Sequence, residues 1–373
     1  MQCDDYDLGR CRSCTLMGTS YSTQLANKER AVAAALGTHA AGARWLPAIT
    51  SPESHFRNKA KLVVGGRAGA PTLGILDAQG RGVDLRGCGL YEPGLSAAFD
   101  PLHRVLVNIG IEPYDVPARR GELKYVIVTH SPDGEHLLRF VVRSRDGLHR
   151  IRSALPRLQD AIPSARVVTV NLHPEHKAVL EGDTEVPLTA RRRLPMRLPG
   201  ATLLLGPRAF FQTNTGVATA LYAQAARWAD HLSPAVVHDL YCGVGGFALH
   251  LAAPGRRTVG VETSTEAVSA ATESARLVEA EVVVVEGDAT SDAPPGPPAD
   301  LVVVNPPRRG IGPGLASTLE ASGAGHVVYS SCNVDTLSRD LTAMPSLRVS
   351  EVRVADMFPQ TRHVETIVLL ERH

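Results

Sequence analysis

The sequence between residues 236 and 247 reads Val-Val-His-Asp-Leu-Tyr-Cys-Gly-Val-Gly-Gly-Phe. An apolar run that ends in a glycine-rich turn and then resumes predicts a strand, a tight turn and the start of a helix. Glycine permits the turn and also lets the backbone approach a ligand closely. The turn lacks the third glycine of the dinucleotide-binding fingerprint, so the strands around it must identify the fold.

The strands predicted after this turn end in polar residues. Strand Thr258–Val261 leads to Glu262, strand Leu301–Val304 leads to Asn305, and an apolar run ends in Ser330-Ser331-Cys332. An acidic residue after the second strand can accept hydrogen bonds from ribose hydroxyls. A dinucleotide dehydrogenase shares that acid but more often carries the full glycine fingerprint. Further strands at 281–285, 347–354 and 363–370 give seven in all, which predicts an α/β fold of the Rossmann-like S-adenosylmethionine-dependent methyltransferase type.

The turn after the fourth strand reads Asn305-Pro306-Pro307-Arg308. Two prolines fix the backbone, and we expect them to hold the asparagine beside the cofactor. Methyltransferases that act on amino groups usually end this motif with an aromatic residue, whereas arginine follows here. This difference argues against methylation of an exocyclic nitrogen and favours Cys332 as the reactive group. Taken alone, a cysteine at a strand end is more often a small, buried hydrophobic residue.

Four other cysteines suggest a metal site in the first part of the chain. Cys3, Cys11 and Cys14 lie within twelve residues, and Cys88 follows between two glycines. Zinc binds four thiolates, and iron–sulfur clusters often take three clustered cysteines and one remote cysteine. The spacing leaves both metals open, as well as a set of unrelated reduced thiols.

Composition and charge narrow the class of protein. The 373 residues are 44% hydrophobic, which is typical of a globular chain, and the start, Met1–Asp5, is acidic where a signal peptide is basic. We therefore expect a cytoplasmic protein with no membrane partner. Residues 1–205 contain 27 Lys and Arg against 20 Asp and Glu, whereas residues 206–373 contain 12 against 18. The basic first half suggests nucleic acid as a partner, with a solvated basic surface as the alternative.

The same patterns predict three regions. Residues 1–92 form the four-cysteine region, and residues 93–205 form a small central α/β domain because predicted strands and helices alternate there. Arginines such as Arg150, Arg152 and Arg191–Arg193 can give that domain a basic, RNA-binding face. Residues 206–373 form the methyltransferase domain.

Five motifs resemble the RNA uracil-C5 methyltransferases. They are Phe210–Asn214, Asp239–Gly243, Asn305–Gly310, Ser330–Asn333 and His363–Thr366. The opening Met1–Cys3 and Gly9–Cys14, with Phe56–Lys61 and Arg120–Tyr125, resemble the branch that methylates a uracil of 23S ribosomal RNA. The likeness covers essentially the whole chain. Tyr241 departs from the phenylalanine usual in that branch, although the tRNA branch also has tyrosine there.

The resemblance implies a role for each matching residue. Cys3, Cys11, Cys14 and Cys88 would hold a 4Fe–4S cluster, and Gln212, Tyr241, Glu262 and Asn305 would contact S-adenosylmethionine. Cys332 would attack carbon 6 of a uracil in 23S ribosomal RNA, with uracil 747 as the implied target, and Glu365 would act as the general base. The uracil would lie in a loop or single strand, and the protein would act as a monomer.

Three alternatives remain at this stage. The first is a related enzyme for another ribosomal or tRNA site, and the second is a catalytically inactive ribosome-assembly protein that binds RNA. The third is a zinc-containing nucleic-acid binder. The presence of both Cys332 and Glu365 argues against an inactive protein, because a purely structural role needs neither.

Overall fold

The protein is described here from a computed structural model, which describes residues 1–177, 179–278, 281–291 and 294–373. The helices are α1 (Asp4–Asp7), α2 (Tyr21–Leu36), α3 (Pro93–Ala97), α4 (Phe99–Ile109), α5 (Arg145–Ala161), α6 (Thr215–Leu232), α7 (Gly246–His250), α8 (Thr265–Ala275), α9 (Gly312–Ala321) and α10 (Val334–Thr342). The strands are β1 (Arg44–Ile49), β2 (Lys59–Arg67), β3 (Ala70–Leu76), β4 (Gly82–Asp84), β5 (Leu123–His130), β6 (His136–Val142), β7 (Ala165–Leu172), β8 (Thr184–Pro187), β9 (Leu194–Leu198), β10 (Ala201–Leu205), β11 (Val236–Leu240), β12 (Arg257–Glu262), β13 (Val282–Glu286), β14 (Leu301–Val304), β15 (His326–Ser331), β16 (Leu347–Ala355) and β17 (Glu365–Arg372). None of the helices in the described ranges is long and apolar enough to cross a bilayer.

The chain folds into two compact units, which differ from the three predicted regions. One unit contains Met1–Cys14 and Ser54–Met196, and the other contains Thr15–Glu53 and Arg197–His373. The predicted boundary at residue 92 therefore falls inside a unit. The boundary near residue 205 falls close to the observed one, but residues 15–53 belong with the second unit. The physical reason is strand pairing, because β1 hydrogen-bonds to β16 and β2 hydrogen-bonds to β5.

The first unit contains a seven-stranded sheet in the order β4-β3-β2-β5-β6-β7-β8. Its pairs are antiparallel except β6 with β7, which helix α5 connects. Short connections favour antiparallel neighbours, whereas a parallel pair needs a crossover. The unit is thus a mainly antiparallel sheet, covered on one face by α4 and α5, rather than the alternating α/β domain predicted for 93–205. Several arginines of this unit are exposed, among them Arg119, Arg145, Arg150, Arg152 and Arg191.

The second unit contains an eight-stranded sheet in the order β1-β16-β17-β15-β14-β11-β12-β13. Seven of these strands come from the predicted methyltransferase region, and β1 adds an eighth from the first part of the chain. Neighbouring pairs among β11 to β15 run parallel, and β17 lies antiparallel between β15 and β16. The fully buried run Leu301–Val304 suits a strand that is covered on both faces, whereas Val282–Val285 lies at the sheet edge and is partly buried.

Two helix caps in this unit lie next to predicted motifs. The Asn214 side chain accepts a hydrogen bond from the Val217 amide at 3.2 Å and begins α6. The Asn333 side chain accepts one from the Asp335 amide at 3.2 Å and begins α10. Asparagine is a preferred cap because its oxygen satisfies an amide that the first helical turn leaves free. Cys332 is therefore fixed between the end of β15 and the first turn of α10.

Candidate active site

Three of the predicted cofactor residues lie side by side at the carboxyl edge of the sheet. Leu240 of β11 pairs with Val261 of β12 and with Val304 of β14. The next residues along these strands are Tyr241, Glu262 and Asn305. In open α/β sheets, ligands bind beyond this edge.

The glycine-rich turn after β11 binds the carboxylate of Glu262. Tyr241 and Gly243 have positive φ angles of 70° and 55°, so the chain turns sharply there. The Gly243 amide then donates to Glu262 Oε2 at 3.1 Å, while the Ser264 amide donates to Oε1 at 2.9 Å. These bonds hold the acid in one orientation. Cys242 is buried, and a Cβ on Gly260 would lie only 2.8 Å from its Sγ, as expected for a cysteine that serves packing.

Asp239 is a buried acid that sequence reasoning did not select. Its Oδ2 accepts from the Ala248 amide at 2.8 Å, while Oδ1 has no hydrogen-bond partner among the described residues. Burial, with a contribution from Glu262, raises its pKa to about 7. The available signal was an aspartate inside an otherwise apolar strand, one residue before the end of that strand.

Gln212 lies in the segment between β10 and α6, which passes over the same edge of the sheet. The Arg208 amide donates to Glu266 Oε1 at 3.4 Å, one turn beyond Glu262. At the other end of the segment, Asn214 Nδ2 donates to the Met357 carbonyl at 3.4 Å, just past β16. Gln212 is buried between these anchor points, whereas Phe210 is 71% exposed and is therefore not a core residue.

Cys332 and Glu365 lie next to each other in the strand register. Ser331 of β15 pairs with Thr366 of β17, so the next pair outward is Cys332 and Glu365. Glu365 also pairs with Ala355 of β16 and is 3% exposed. Its Oε2 has no hydrogen-bond partner within the described part of the chain. A candidate nucleophile and a buried carboxyl group with an unused oxygen thus lie next to each other.

Burial is the largest influence on the pKa of both Cys332 and Glu365. It raises the pKa of Glu365 to about 8, although Arg308 acts in the opposite direction. Burial and then the charge of Glu365 raise the pKa of the Cys332 thiol, against a lowering effect of Arg308. The effect of Arg308 on both groups is therefore outweighed by burial. A carboxyl group with such a pKa is suited to accept a proton near neutral pH.

The Asn-Pro-Pro-Arg turn is fixed against α10. Asn333 Nδ2 donates to the Arg308 carbonyl at 3.1 Å, and Arg339 Nη2 donates to the Arg309 carbonyl at 2.7 Å. Asp340 Oδ2 accepts from the Ile311 amide at 2.9 Å, and a Cβ on Gly310 would lie 2.3 Å from that oxygen. The turn consequently needs glycine at this position and carries Arg308 towards Cys332.

Helix α2 holds the loop that precedes Glu365. Lys28 Nζ forms a buried ion pair with Asp356 at 2.6 Å and donates to the Phe358 carbonyl at 3.1 Å. Gln24 Nε2 donates to Gln360 Oε1 at 3.0 Å, and the Gln360 amide returns a bond to Gln24 Oε1 at 2.9 Å. These contacts stabilise Gln360 in its left-handed conformation, with φ of 66°. Sequence reasoning found none of these contacts.

The four cysteines assigned to a metal lie in the first unit. Burial raises the pKa of Cys14 to about 11, with further contributions from Cys88, Cys11 and Cys3, and Arg57 opposes them. Burial likewise raises the pKa of Cys88, with contributions from Cys3 and Cys11. The thiols are thus close enough to influence one another. Within the described ranges, however, no group of three or more His, Cys, Asp or Glu side chains is arranged to hold a metal ion.

Comparison with known proteins gives consistent matches along the chain. The tRNA (Uracil-5-)-methyltransferase family matches residues 298–373, and the Methyltransferase small domain family matches residues 203–318. The solved structure of Pyrococcus abyssi tRNA (uracil-54, C5)-methyltransferase in complex with S-adenosyl-L-homocysteine superimposes with a TM-score of 0.79 at 24% identity. It covers 96% of this chain and 85% of that chain. This likeness shows that the fold is that of an S-adenosylmethionine-dependent methyltransferase.

Curated relatives match at higher identity. The 23S rRNA (uracil(747)-C(5))-methyltransferase RlmC of Edwardsiella ictaluri is 43% identical over 376 residues, which cover 100% of this chain and 99% of that protein. The protein of the same name from Halothiobacillus neapolitanus is 44% identical over 381 residues, with full coverage of both chains. Together with these relatives, the chain belongs to the RNA uracil-C5 methyltransferase family.

Proposed function

We propose that this protein transfers the methyl group of S-adenosylmethionine to carbon 5 of uracil 747 in 23S ribosomal RNA, giving 5-methyluridine. The target follows the names of the full-length relatives. The chemistry rests on one observation, the pairing of Cys332 with the buried Glu365 beside the edge that carries Tyr241, Glu262 and Asn305. Because the substrate is ribosomal RNA, the proposal includes action in the cytoplasm.

Carbon 5 of uracil is too weak a nucleophile to take a methyl group unaided. We assign the thiolate of Cys332 to carbon 6, where its addition makes an enolate with electron density at carbon 5. When bound, S-adenosylmethionine supplies a sulfonium methyl group, which carbon 5 attacks. Glu365 then accepts the proton from carbon 5, the bond between Sγ and carbon 6 breaks, and the ring is restored.

The proposed cofactor contacts follow from the strand ends. The Ser264 amide and the Thr263 hydroxyl both donate to Glu262 Oε1, and the Gly243 amide donates to Oε2, so the carboxylate is held in one orientation and Oε2 keeps a lone pair for a ribose hydroxyl. Tyr241 and Asn305 flank it on the neighbouring strands, and we assign Gln212 to the same site from the segment that passes over this edge. The target uracil must leave its stack to reach Cys332, which favours a loop or single-stranded substrate.

We further propose that Cys3, Cys11, Cys14 and Cys88 hold a 4Fe–4S cluster. The support is the donor set itself: four cysteines of one unit that influence each other's pKa, beside the cation Arg57. Cysteine thiolates are the usual ligands of such a cluster, and ligation would require each thiol to lose its proton. Arg57 favours that loss. The exposed arginines of the same unit are our candidates for contacts with RNA.

The test is methyl transfer to a 23S rRNA fragment that contains the target loop. We expect Cys332→Ala to bind S-adenosylmethionine as the wild type does, because Cys332 is not among the cofactor contacts, but to transfer no methyl group. A fragment with cytosine in place of uracil 747 is the matched substrate control. Wild-type rates from Cys332→Ala would refute the role of Cys332 as the nucleophile. If 5-methyluridine maps to a tRNA or to another ribosomal site, that site is the target and uracil 747 is not.

A further inference from the structure

A cavity of about 360 Å³ in the second unit carries an excess of positive charge. Residues of β1, β16 and α6 line it, and its charged side chains are those of Arg44, Arg227, Arg353 and Glu351. The cavity lies away from the strand ends that carry Tyr241, Glu262 and Asn305. Nothing in the proposed methyl transfer uses it.

The single carboxylate of the cavity is already occupied. Glu351 forms an ion pair with Arg44, and its Oε2 accepts from Trp228 Nε1 at 2.9 Å. Arg227 and Arg353 have no ion pair among the described residues. Both donate instead to one neutral oxygen, Gln224 Oε1, at 2.7 Å from Arg227 Nη2 and 2.6 Å from Arg353 Nη1. Two guanidinium groups are thus brought together without a counter-ion.

The charge of one guanidinium group influences the protonation of the other. Burial lowers the pKa of Arg353, and the charge of Arg227 lowers it further. Arg353 Nε also donates to the Pro47 carbonyl at 2.8 Å, which fixes the side chain in the cavity. A guanidinium fork matches the oxygens of a phosphate group in geometry and charge, so a phosphate would satisfy both arginines at once.

The strand register relates this cavity to the proposed catalytic base. Arg353 pairs with Ile367, and Ala355 pairs with Glu365, so Arg353 and Glu365 lie on the same face of the sheet. They are on adjacent strands and two residues apart in register, which corresponds to roughly 8 Å between their Cα atoms. The cavity therefore lies on the sheet face that carries Glu365, with Arg353 two residues from it in register.

We infer that Arg227 and Arg353 bind a phosphodiester group of the RNA strand that carries the target uracil. This inference rests on the proposed function, because it assumes an RNA substrate with its uracil at Cys332. An RNA phosphodiester and free inorganic phosphate both present a phosphate oxyanion to the arginines. The experiment must therefore distinguish these two ligands.

The first arm of the test measures affinity for the RNA fragment. Arg227 is exposed, so Arg227→Gln should fold. Binding of S-adenosylmethionine by this variant checks that it does. We expect the Kd for RNA to rise about 10-fold, the KM for RNA to rise with it, and the slope of log K against log salt to fall by about 0.7, the value for one phosphate contact on a single strand. Arg348→Gln is the matched control, since Arg348 is an exposed arginine near the amino end of the same strand. Its Kd and slope should stay at wild-type values.

The second arm locates the phosphate. Fragments in which one phosphate at a time is replaced by a neutral methylphosphonate should include one position that weakens wild-type binding about 10-fold. That same replacement should add nothing to the loss in Arg227→Gln. Independent, additive losses at every position would overturn the inference, as would a salt slope for Arg227→Gln equal to that of Arg348→Gln.

The third arm tests free phosphate. The chain has two tryptophans, so in a Trp45→Phe background the fluorescence reports on Trp228, which lines the cavity. A response to millimolar inorganic phosphate, with RNA binding of Arg227→Gln unchanged, would assign the cavity to free phosphate and overturn the RNA contact. If the wild type methylates no RNA, the proposed function is refuted instead. RNA binding is measured independently of methyl transfer, so the two failures can be told apart.

Discussion

Replacement of Glu365 by glutamine should separate methyl transfer from proton removal. Glu365 has its pKa raised from 4.5 to about 8 because it is buried. At pH 7 roughly a tenth of the carboxyl group is then ionised, and the rate of the base step should rise about tenfold per pH unit until it levels above pH 8. Glutamine keeps the shape of the side chain but cannot accept the proton.

The expected result is a trapped intermediate. With RNA and S-adenosylmethionine, Glu365→Gln should lose 10²–10⁴-fold in turnover, the usual contribution of a general base, and accumulate a covalent protein–RNA complex that survives denaturing electrophoresis. Mass spectrometry of the complex should place the bond at Cys332 and show the added methyl group. Glu371→Gln, at the far end of the same strand, is the matched control. Turnover at the wild-type rate without any adduct would remove Glu365 from the base role.

The same substitution should change the reactivity of Cys332. The negative charge of Glu365 helps to raise the pKa of the thiol, although burial is the larger cause. In Glu365→Gln the pH profile of Cys332 alkylation, followed by peptide mass spectrometry, should therefore shift to lower pH. A profile that stays in place or shifts upward would contradict the proximity on which the mechanism depends.

The free energy of unfolding should depend on pH through Glu365. The folded state holds the Glu365 proton more tightly than the unfolded chain, so unfolding free energy falls as pH rises from about 4.5 to about 8. The slope approaches about 1.4 kcal/mol per pH unit, and the total is at most roughly 5 kcal/mol. Urea unfolding of Glu365→Gln should lack this contribution, while Glu371→Gln should keep it.

Two further predictions concern the buried ion pair of the second unit and the four cysteines of the first unit. Lys28→Met leaves the Asp356 carboxylate buried without its ion pair, so the free energy of unfolding in urea should fall by about 3–5 kcal/mol. A Lys28→Met/Asp356→Leu double variant should recover much of that loss, and equal stability of both variants would contradict the argument. Protein purified without oxygen should be brown and contain about four iron and four sulfide per chain, and Cys88→Ser should lose them. A colourless protein that contains zinc would refute the cluster.

The sequence was sufficient for the parts of the fold that repeat a local pattern. The apolar run Leu301–Val304 predicts a strand buried on both faces, as the structure has it, and parallel strands bring their carboxyl ends to one edge. That geometry places Tyr241, Glu262 and Asn305 together, as the register shows. Position alone did not identify Cys332 as a candidate nucleophile, because a lone cysteine at a strand end more often serves packing.

Contacts between distant parts of the chain cannot be predicted from a local sequence pattern. Arg44 pairs with Glu351 in the sheet, and Lys28 meets Asp356, each pair being more than 300 residues apart. A buried lysine looks like any other polar position of a helix until its partner is known. For the same reason the predicted boundary at residue 92 cut a sheet, since the pairing of β2 with β5 cannot be read from either strand alone.

The position of the proposed base depends on these distant contacts. Glu365 begins β17, which lies between β15, the strand that leads to Cys332, and β16, whose outer edge is covered by β1. The loop from β16 to β17 starts at Asp356, and Lys28 and Gln24 of α2 bind it at two points. Residues 15–53 therefore complete the catalytic sheet and restrain the loop before Glu365. The second unit is consequently a discontinuous catalytic domain, and a boundary at residue 206 would separate the proposed base from the helix that positions it.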